Sequence, residues 1–230
     1  MSAAAALGRP RLHLRETGST NARARELAAT GAPHGTLVTA GVQTAGRGRQ
    51  GRAWAAPAGS SLLLSLVVRD FDALLSLRAG LAVADLAGAG AQVKWPNDVL
   101  LDGGKVAGIL VEGRPQERWA VVGIGVNAAL DPAELPAELR GRAATLGLVP
   151  RQLEAALGAL LGALAQRLAE PAHAALAALR ERDALLGARV DWAGGSGTGA
   201  GITDAGELRI AGPGGAVTVL GAGEVHLGST

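Results

Sequence analysis

Lysine is rare in this chain, and both copies lie in one short segment. Residues 91–112 contain Lys94 and Lys105, eleven positions apart, and every other basic residue among the 22 lysines and arginines is arginine. A composition rich in Ala, Gly and Arg explains a general shortage of lysine, but it does not explain why both copies share one patterned segment. A compact ammonium on a flexible stem suits an oxygen that gains charge during a reaction. We therefore treat the two lysines as candidate reaction-site cations.

A glycine–arginine segment supplies further cations. Residues 46–52 read GRGRQGR and present Arg47, Arg49 and Arg52. Glycine lets backbone N–H groups approach a ligand, and guanidinium groups match carboxylate and phosphate oxygens. The G-x-G-x-x-G spacing does not indicate a dinucleotide fold, because a predicted strand rather than a helix follows it. Taken alone, the segment indicates either an oxyanion-binding loop or a solvated loop with loose nucleic-acid contacts.

Three asparagines stand where turns and binding groups converge. Asn21, Asn97 and Asn127 each follow or end a predicted element, in the contexts GSTN, WPND and GVNA. Asparagine forms turns readily, so each could be a turn residue alone. The Pro-Asn-Asp turn, however, places Asn97 and Asp98 beside Lys94, and loop positions of this kind commonly carry binding groups.

The second lysine opens a strand. DGG at 102–104 is a hairpin signal, and the residues after it alternate in character. Alternation predicts Lys105 and Ala107 on one face of the strand, with Val106 and Gly108 on the other.

Composition excludes several classes of protein. The chain has no cysteine, and its histidines show no ligand spacing, so we predict no protein metal site. The net charge of +2 needs no nucleic-acid partner. The apolar run at the start is too short for a signal peptide, and charged residues interrupt the most apolar later segment. We therefore predict a cytoplasmic protein with no membrane span.

Periodicity predicts an α+β domain followed by a small β module. Predicted strands cover 11–16, 35–43, 61–69, 92–95, 99–101, 105–113 and 118–128, and predicted helices cover 19–30, 73–87, 151–168 and a segment after Pro171. The Pro-rich residues 131–141 are predicted to form a surface loop. From residue 187 onward, short alternating runs separated by glycine predict about five strands. The expected division is therefore a domain at 1–186 and a β domain at 187–230.

As an ordered set, five motifs make the chain similar to the biotin–protein ligases, also called biotin–[acetyl-CoA-carboxylase] ligases. These motifs are GSTN, QTAGRGRQGRAW, KWPND, KVAGILVEG and GIGVN, and the similarity runs from about residue 11 to 130. The resemblance implies a mixed-sheet catalytic domain of the class II synthetase/biotin–lipoate ligase type with a small SH3-like barrel. It also implies biotin, ATP and nucleotide-bound Mg²⁺, and a biotin carboxyl carrier protein as partner.

The resemblance assigns roles by position. The fused rings of biotin would contact Ser19, Thr20, Asn21 and Gln43. The catalytic cations near the biotin carboxylate and the α-phosphate would be Lys105, Arg47 and Arg49. The remaining implied binding residues are Gly46, Gly48, Arg52 and Trp54 in the loop motif, Lys94, Asn97 and Asp98 near the nucleotide and its magnesium, Gly108 beside Lys105, and Asn127 at the nucleotide border.

The sequence also bears on DNA binding, on the adenine contact, on alternative functions and on the oligomeric state. Only about eighteen residues precede the STN motif, so no N-terminal DNA-binding domain and no DNA partner are expected. The aromatic residue that would cover adenine is unassigned; Trp119 and Trp192 are candidates, although core packing explains both. A lipoate ligase or octanoyltransferase of related fold is the nearest alternative function, and an Arg-rich nucleic-acid-binding module is the alternative from another class. The oligomeric state is expected to be monomer or homodimer.

Overall fold

The computed structural model describes residues 7–131, 133, 135 and 140–228. In chain order, its strands are β1 Arg11–Thr17, β2 Leu37–Gln43, β3 Ser61–Arg69, β4 Ala91–Lys94, β5 Asp98–Leu101, β6 Gly104–Arg114, β7 Trp119–Asn127, β8 Arg189–Trp192, β9 Gly195–Ile202, β10 Leu208–Ala211, β11 Val217–Leu220 and β12 His226–Leu227. Its α-helices are α1 Thr20–Ala29, α2 Leu75–Ala87, α3 Leu153–Ala169 and α4 Ala172–Glu181.

The first seven strands form one mixed sheet in the order β1-β2-β3-β7-β6-β5-β4. The pair β1–β2 is parallel and the other neighbours are antiparallel. The interior strand β3 is buried along almost its whole length because helices cover both faces of the sheet. On one face α1 buries Ala24 and Ala28 against Val67 and Val121, and on the other face α2 and α3 close the larger core.

The last five strands form a second, antiparallel sheet in the order β11-β10-β9-β8-β12. This sheet is joined to the large one beside the turn between β4 and β5. There the buried Trp95 donates its indole N–H to the carbonyl of Gly206 at 3.0 Å. Gly206 adopts a φ of 82° and packs against Leu74 and Leu77, so the contact has no room for a larger residue. The second sheet therefore lies next to the lysine-containing hairpin.

The predicted α+β class with a C-terminal β module is confirmed. The division at residue 187 falls between α4 and β8 and stays a prediction. Parts of two predicted features lie outside the described residues, namely positions 1–6 of the apolar start and positions 132, 134 and 136–139 of the Pro-rich loop. Within the described chain, no helix combines the length and apolar character needed to cross a membrane.

Arg78 ties α2 to the end of α3 and gives a stability prediction. Its side chain is 5% exposed, pairs with Asp72 at 2.8 Å, and donates to the carbonyls of Arg167 and Glu170 at 2.6 and 3.0 Å. Arg78→Ala would leave these carbonyls without a donor, and we expect it to lower the free energy of unfolding by about 3 kcal/mol. Urea denaturation followed by circular dichroism measures this change.

The matched control for Arg78 is Arg23 of α1, which pairs with Glu26 at the surface. Because exposed pairs contribute little, we expect Arg23→Ala to change stability by less than about 1 kcal/mol. Equal midpoints for the two variants would contradict the proposed anchoring role of Arg78.

Candidate functional site

One cleft of about 870 Å³, partly open to solvent, lies where the 46–54 loop, the β4–β5 turn, β6, β7 and the C-terminal module meet. All sequence-predicted site residues line it except Gly46 and Asn127. The predicted residues in its lining are Ser19, Thr20, Asn21, Gln43, Arg47, Gly48, Arg49, Arg52, Trp54, Lys94, Asn97, Asp98, Lys105 and Gly108. The structure therefore brings the cations of three separate segments to one cavity.

One end of the cleft is polar and uncharged. Here α1 begins at Thr20, whose backbone N–H and hydroxyl both face the Gln43 Oε1, at 2.7 and 3.0 Å. Asn21 is buried, and its Oδ1 accepts from the hydroxyl of Ser65 at 2.6 Å. These contacts hold hydroxyl and amide groups in fixed positions, which suits a compact neutral ligand with N–H and C=O groups.

The other end of the cleft is cationic. Asp98 lies between the two lysines, with Lys105 Nζ at 2.7 Å and Lys94 Nζ at 3.8 Å. Asn97 accepts a hydrogen bond from Arg49 at 3.3 Å, which joins the glycine–arginine loop to the β4–β5 turn. This end retains a net positive charge, because its lysines and arginines outnumber the two carboxylates of the cleft lining, Asp98 and Glu224.

Burial lowers the pKa of the Lys94 ammonium from its usual 10.5. The nearby Lys105 and Arg52 lower this pKa further, whereas the carboxylate of Asp98 opposes the shift. Desolvation disfavours the charged form of a lysine, and like charges act in the same direction. The Lys94 ammonium therefore loses its charge at a lower pH than a lysine in water does.

A β-bulge at Val106 sets the direction of Lys105. Val99 of β5 pairs with Ala107, but Leu100 pairs with Lys105, so Val106 is the extra residue. Both Val106 and Ala107 are buried in the core. The predicted alternation of Lys105 and Gly108 onto opposite faces is therefore wrong: a Cβ added to Gly108 would lie 3.4 Å from Lys105 Nζ, and both residues line the cleft. Bulges re-aim side chains in this way.

The glycine–arginine loop folds back on itself and covers the cleft with Trp54. At the base of the loop, just outside the cleft lining, the backbone carbonyl of Gly46 accepts a hydrogen bond from the backbone N–H of Trp54 at 2.9 Å. The indole rests on two glycines that pair across β6 and β7, Gly108 and Gly125. Lys105 Nζ lies 5.8 Å from the ring centroid, within the range of a cation–π contact.

Asn127 lies behind the cleft. Its amide donates to the carbonyls of Lys105 and Ala144 at 3.2 and 3.1 Å, and its own backbone carbonyl accepts from Leu146. The side chain thus fixes the strand that carries Lys105, and contact with a nucleotide stays a prediction.

Sequence reasoning missed two carboxylates. Glu224, in the C-terminal module, lines the cleft and forms an ion pair with Arg52. Glu112, at the end of the KVAGILVEG motif, contacts Asn21 and Arg47 from behind the cleft. The motif contained a signal for Glu112, but no local pattern could place Glu224 beside a loop more than 150 residues earlier.

The two tryptophans considered for adenine lie elsewhere. Trp119 is 3% exposed in the core under α1 and donates to Glu117 at 2.8 Å. Trp192 packs on the C-terminal side of the large core. Among the described residues that line the cleft, Trp54 is the one aromatic side chain. The described residues also include no group of three or more His, Cys, Asp or Glu arranged to hold a metal ion.

Known proteins resemble this chain at two levels: curated sequences match the half that carries the motifs, and solved structures match nearly the whole fold. The chain is 47% identical over 133 residues to the biotin--[acetyl-CoA-carboxylase] ligase of Paracoccus denitrificans, covering 52% of this chain and 55% of that protein. It is 46% identical over 134 residues to the ligase of that name from Mycobacterium tuberculosis, covering 52% and 50%. The chain thus matches about half the length of these curated relatives.

A solved structure extends the likeness to nearly the whole chain. A biotin protein ligase from Aquifex aeolicus in complex with biotin and ATP has a TM-score of 0.81 and 27% identity, and the match covers 96% of this chain and 100% of that one. The Biotin/lipoate A/B protein ligase family matches residues 14–128, half of the chain and the part that supplies most of the cleft. The chain therefore belongs to the biotin/lipoate A/B protein ligase family.

Proposed function

We propose that this protein is an ATP-dependent biotin–[acetyl-CoA-carboxylase] ligase, which converts biotin to biotinyl-5′-AMP and transfers the biotinyl group to a lysine of a biotin carboxyl carrier protein. The observation that carries the proposal is one cleft with a neutral polar end and a cationic end. The names of the relatives and the biotin and ATP bound to the Aquifex protein support it.

The neutral end favours biotin over lipoate. The ureido group of biotin offers two N–H donors and one carbonyl acceptor, which match Asn21, Thr20 and the other fixed amide and hydroxyl groups. The dithiolane ring of lipoate and the tail of octanoate have no such groups, so they would leave the second lone pair of Asn21 Oδ1, in the buried end of the cleft, without a donor. Unpaired buried polar groups cost about 1–3 kcal/mol each, which supports biotin within a family that also includes lipoate enzymes.

The cationic end fits the first reaction step. A carboxylate oxygen of biotin attacks the α-phosphorus of ATP, the bond from that phosphorus to the β-bridging oxygen breaks, and pyrophosphate leaves. Two like charges 4 Å apart repel by about 4 kcal/mol at an effective dielectric near 20. Lys105, Arg47 and Arg49 would offset this repulsion and stabilise the charge that develops on the phosphate oxygens.

At the cationic end of the cleft, Trp54 and a bound magnesium ion would provide further contacts to the substrates. The indole N–H of Trp54 is buried and has no hydrogen-bond partner among the described residues, so it is available to an oxygen of the bound acid or nucleotide. Mg²⁺ is usually held by one or two carboxylates together with phosphate oxygens. Asp98 and Glu224 line the cleft and would hold it; when bound, the ion neutralises phosphate charge.

In the second step the amine of the carrier lysine attacks the acyl carbon, the bond from that carbon to the AMP oxygen breaks, and an amide forms. The loop over the cleft would protect the reactive mixed anhydride from water until then. A cytoplasmic location, the lack of a DNA partner, and a monomeric or homodimeric state stay predictions of the same proposal.

The test is acid-dependent release of pyrophosphate. Purified protein would be incubated with MgATP and either biotin, lipoate or octanoate, followed by mass analysis of an added biotin carboxyl carrier domain. We expect biotin alone to support pyrophosphate release and to add one biotinyl group to one carrier lysine. Release with lipoate and none with biotin would overturn the substrate assignment.

The lowered pKa of Lys94 predicts loss of ATP affinity at alkaline pH. Lysine is charged below its pKa, so the Lys94 charge is lost as the pH rises, and at a lower pH than for a lysine with the usual pKa of 10.5. Lys94→Arg keeps its charge over this range, and we expect its affinity to fall only at higher pH. Calorimetric titration of ATP from about pH 7 to about pH 10 measures both profiles. Superimposable profiles would show that Lys94 does not supply the titrating charge.

A further inference from the structure

We propose that Glu112 is a positioning residue that couples the acid-binding end of the cleft to the glycine–arginine loop. This inference rests on the proposed function and assigns a role to a residue outside the cleft lining. Glu112 lies near the end of β6, opposite Val121 of β7, and its side chain is 23% exposed. It would act through Asn21 on one side and Arg47 on the other.

The carboxylate of Glu112 joins three segments that are far apart in sequence. Its Oε2 accepts from Asn21 Nδ2 at 2.8 Å and from Arg47 at 3.2 Å, and its Oε1 accepts from Arg25 at 3.1 Å. Asn21 and Arg25 belong to α1, whereas Arg47 belongs to the loop. One oxygen atom therefore contacts both a residue of the neutral pocket and a residue of the covering loop.

Glu112 determines which way the Asn21 amide points. The Nδ2 group donates to Glu112 and to the carbonyl of Leu110 at 3.2 Å, so both of its hydrogens are used on β6. Oδ1 accepts from Ser65 and keeps a second lone pair. The amide also packs on Gly123, where any side chain would clash with it. Asn21 is thus fixed as an acceptor toward the cleft, the orientation that a ligand N–H requires.

The same carboxylate restrains the loop. Arg47 is 41% exposed and pairs with Glu112, while Arg49 contacts Asn97 and Arg52 contacts Glu224. Each arginine of the loop therefore has a separate anchor on the body of the protein. Of these anchors, Glu112 is the one that also contacts the neutral pocket, so it can transmit a change in Asn21 to the loop.

An ordinary surface ion pair would not have this effect. Exposed pairs contribute little because water and salt screen them. The Glu112–Asn21 contact is different, since Asn21 is 4% exposed and its amide would otherwise have an unpaired hydrogen in the protein interior. The Arg25 contact engages the other carboxylate oxygen at the surface, which makes Arg25 the natural control.

The test compares Glu112→Ala, Glu112→Gln and Arg25→Ala in the full chain. Biotin affinity is measured by calorimetry, and loop exposure by the rate at which trypsin cleaves after Arg47, Arg49 and Arg52 without ligand. We expect Glu112→Ala to weaken biotin binding by about tenfold, which corresponds to about 1.4 kcal/mol, because the Asn21 amide loses its charged acceptor. We also expect it to accelerate loop cleavage several-fold.

Glu112→Gln separates the two effects. It keeps an oxygen for Asn21 but loses the charge that holds Arg47, so biotin affinity should stay within about threefold while loop cleavage accelerates. Arg25→Ala should change neither quantity. Weaker biotin binding with unchanged loop cleavage in Glu112→Ala would refute the coupling, as would equal effects of the Glu112 and Arg25 variants.

The outcome distinguishes this inference from the proposed function. If wild-type protein does not bind biotin, the proposed function fails whatever the variants do. If wild-type protein binds biotin and both Glu112 variants behave like it, the proposed function stands and the role of Glu112 is refuted. Thermal melting of each variant shows whether it is folded, and Glu112→Gln, which preserves shape, remains informative if Glu112→Ala does not fold.

Discussion

Lys105→Met is expected to reduce the rate of biotinyl-adenylate formation by at least 10²- to 10³-fold while the protein stays folded. Lys105 is the cation of β6 that the Val106 bulge directs into the cleft, 2.7 Å from Asp98 and beside Trp54. Loss of one preorganised donor to a developing oxyanion costs about 2.7–4 kcal/mol, and each 1.36 kcal/mol is about tenfold in rate. Methionine preserves the length of the side chain and its apolar contacts. Pyrophosphate release under saturating biotin and ATP measures the loss.

The control for Lys105 is Arg114→Met. Arg114 is also a cation of β6, but it pairs with Glu117 at the far end of the strand. The two variants make the same change of charge on the same strand, and only one makes it in the cleft. We expect Arg114→Met to retain wild-type turnover, with both variants showing wild-type circular dichroism. Near-normal turnover of Lys105→Met would remove Lys105 from the reaction and weaken the proposed function.

The elements of the fold were predictable because their signals are local. The alternation of β1, the apolar runs of β3 and β7, the DGG hairpin and the helical spacing of α3 each depend on residues close in sequence. The five motifs likewise place the loop, the turn and the hairpin at ends of elements, where a cleft can form. What they do not specify is the order of strands, and with it the position of the C-terminal module over the cleft.

The finer geometry of the site depends on contacts that local patterns do not contain. Strict alternation gave the wrong face for Gly108 relative to Lys105, because a bulge is set by the pairing of β6 with β5 rather than by the residues of β6 alone. Glu112 and Asn21 are 91 positions apart, and Glu224 reaches Arg52 from another sheet. Such long-range pairs become visible only when the packing of the elements is known.

The position of Trp54 in the cleft also depends on contacts between residues that are far apart in sequence. Its motif predicts that it belongs to the loop, whereas Trp119 and Trp192 were the candidates for the aromatic residue over adenine. The structure buries Trp119 in the core and places Trp54 on the two-glycine floor of the cleft. The glycines at 108 and 125 pair directly across β6 and β7, so their shared purpose depends on the register of the two strands.

The second large effect that the structure predicts is that of Gly125→Ala, which tests whether the indole of Trp54 must pack on Gly108 and Gly125 for ligands to bind. A Cβ at residue 125 would lie 2.5 Å from Trp54 Cε2 and 2.7 Å from its Nε1, closer than real carbon contacts allow. The backbone of Gly125 is ordinary strand, so the new methyl group should displace the indole and leave β7 intact. Overpacking of this kind costs about 1–3 kcal/mol, and we expect biotin and ATP to bind about 10- to 100-fold more weakly. Calorimetric titration of each ligand measures the loss.

A double variant identifies Trp54 as the cause. If the methyl group acts by displacing the indole, removing the indole first should remove the clash, and Gly125→Ala should then have little further effect in a Trp54→Ala background. Contacts between neighbouring residues give non-additive effects of this sort, whereas independent sites give additive ones. If the loss of affinity in the double variant equals the sum of the losses in the two single variants, the methyl group blocks the ligand itself. In that case the two-glycine floor would be a surface for the bound substrate, and Trp54 would contribute to binding independently of Gly125.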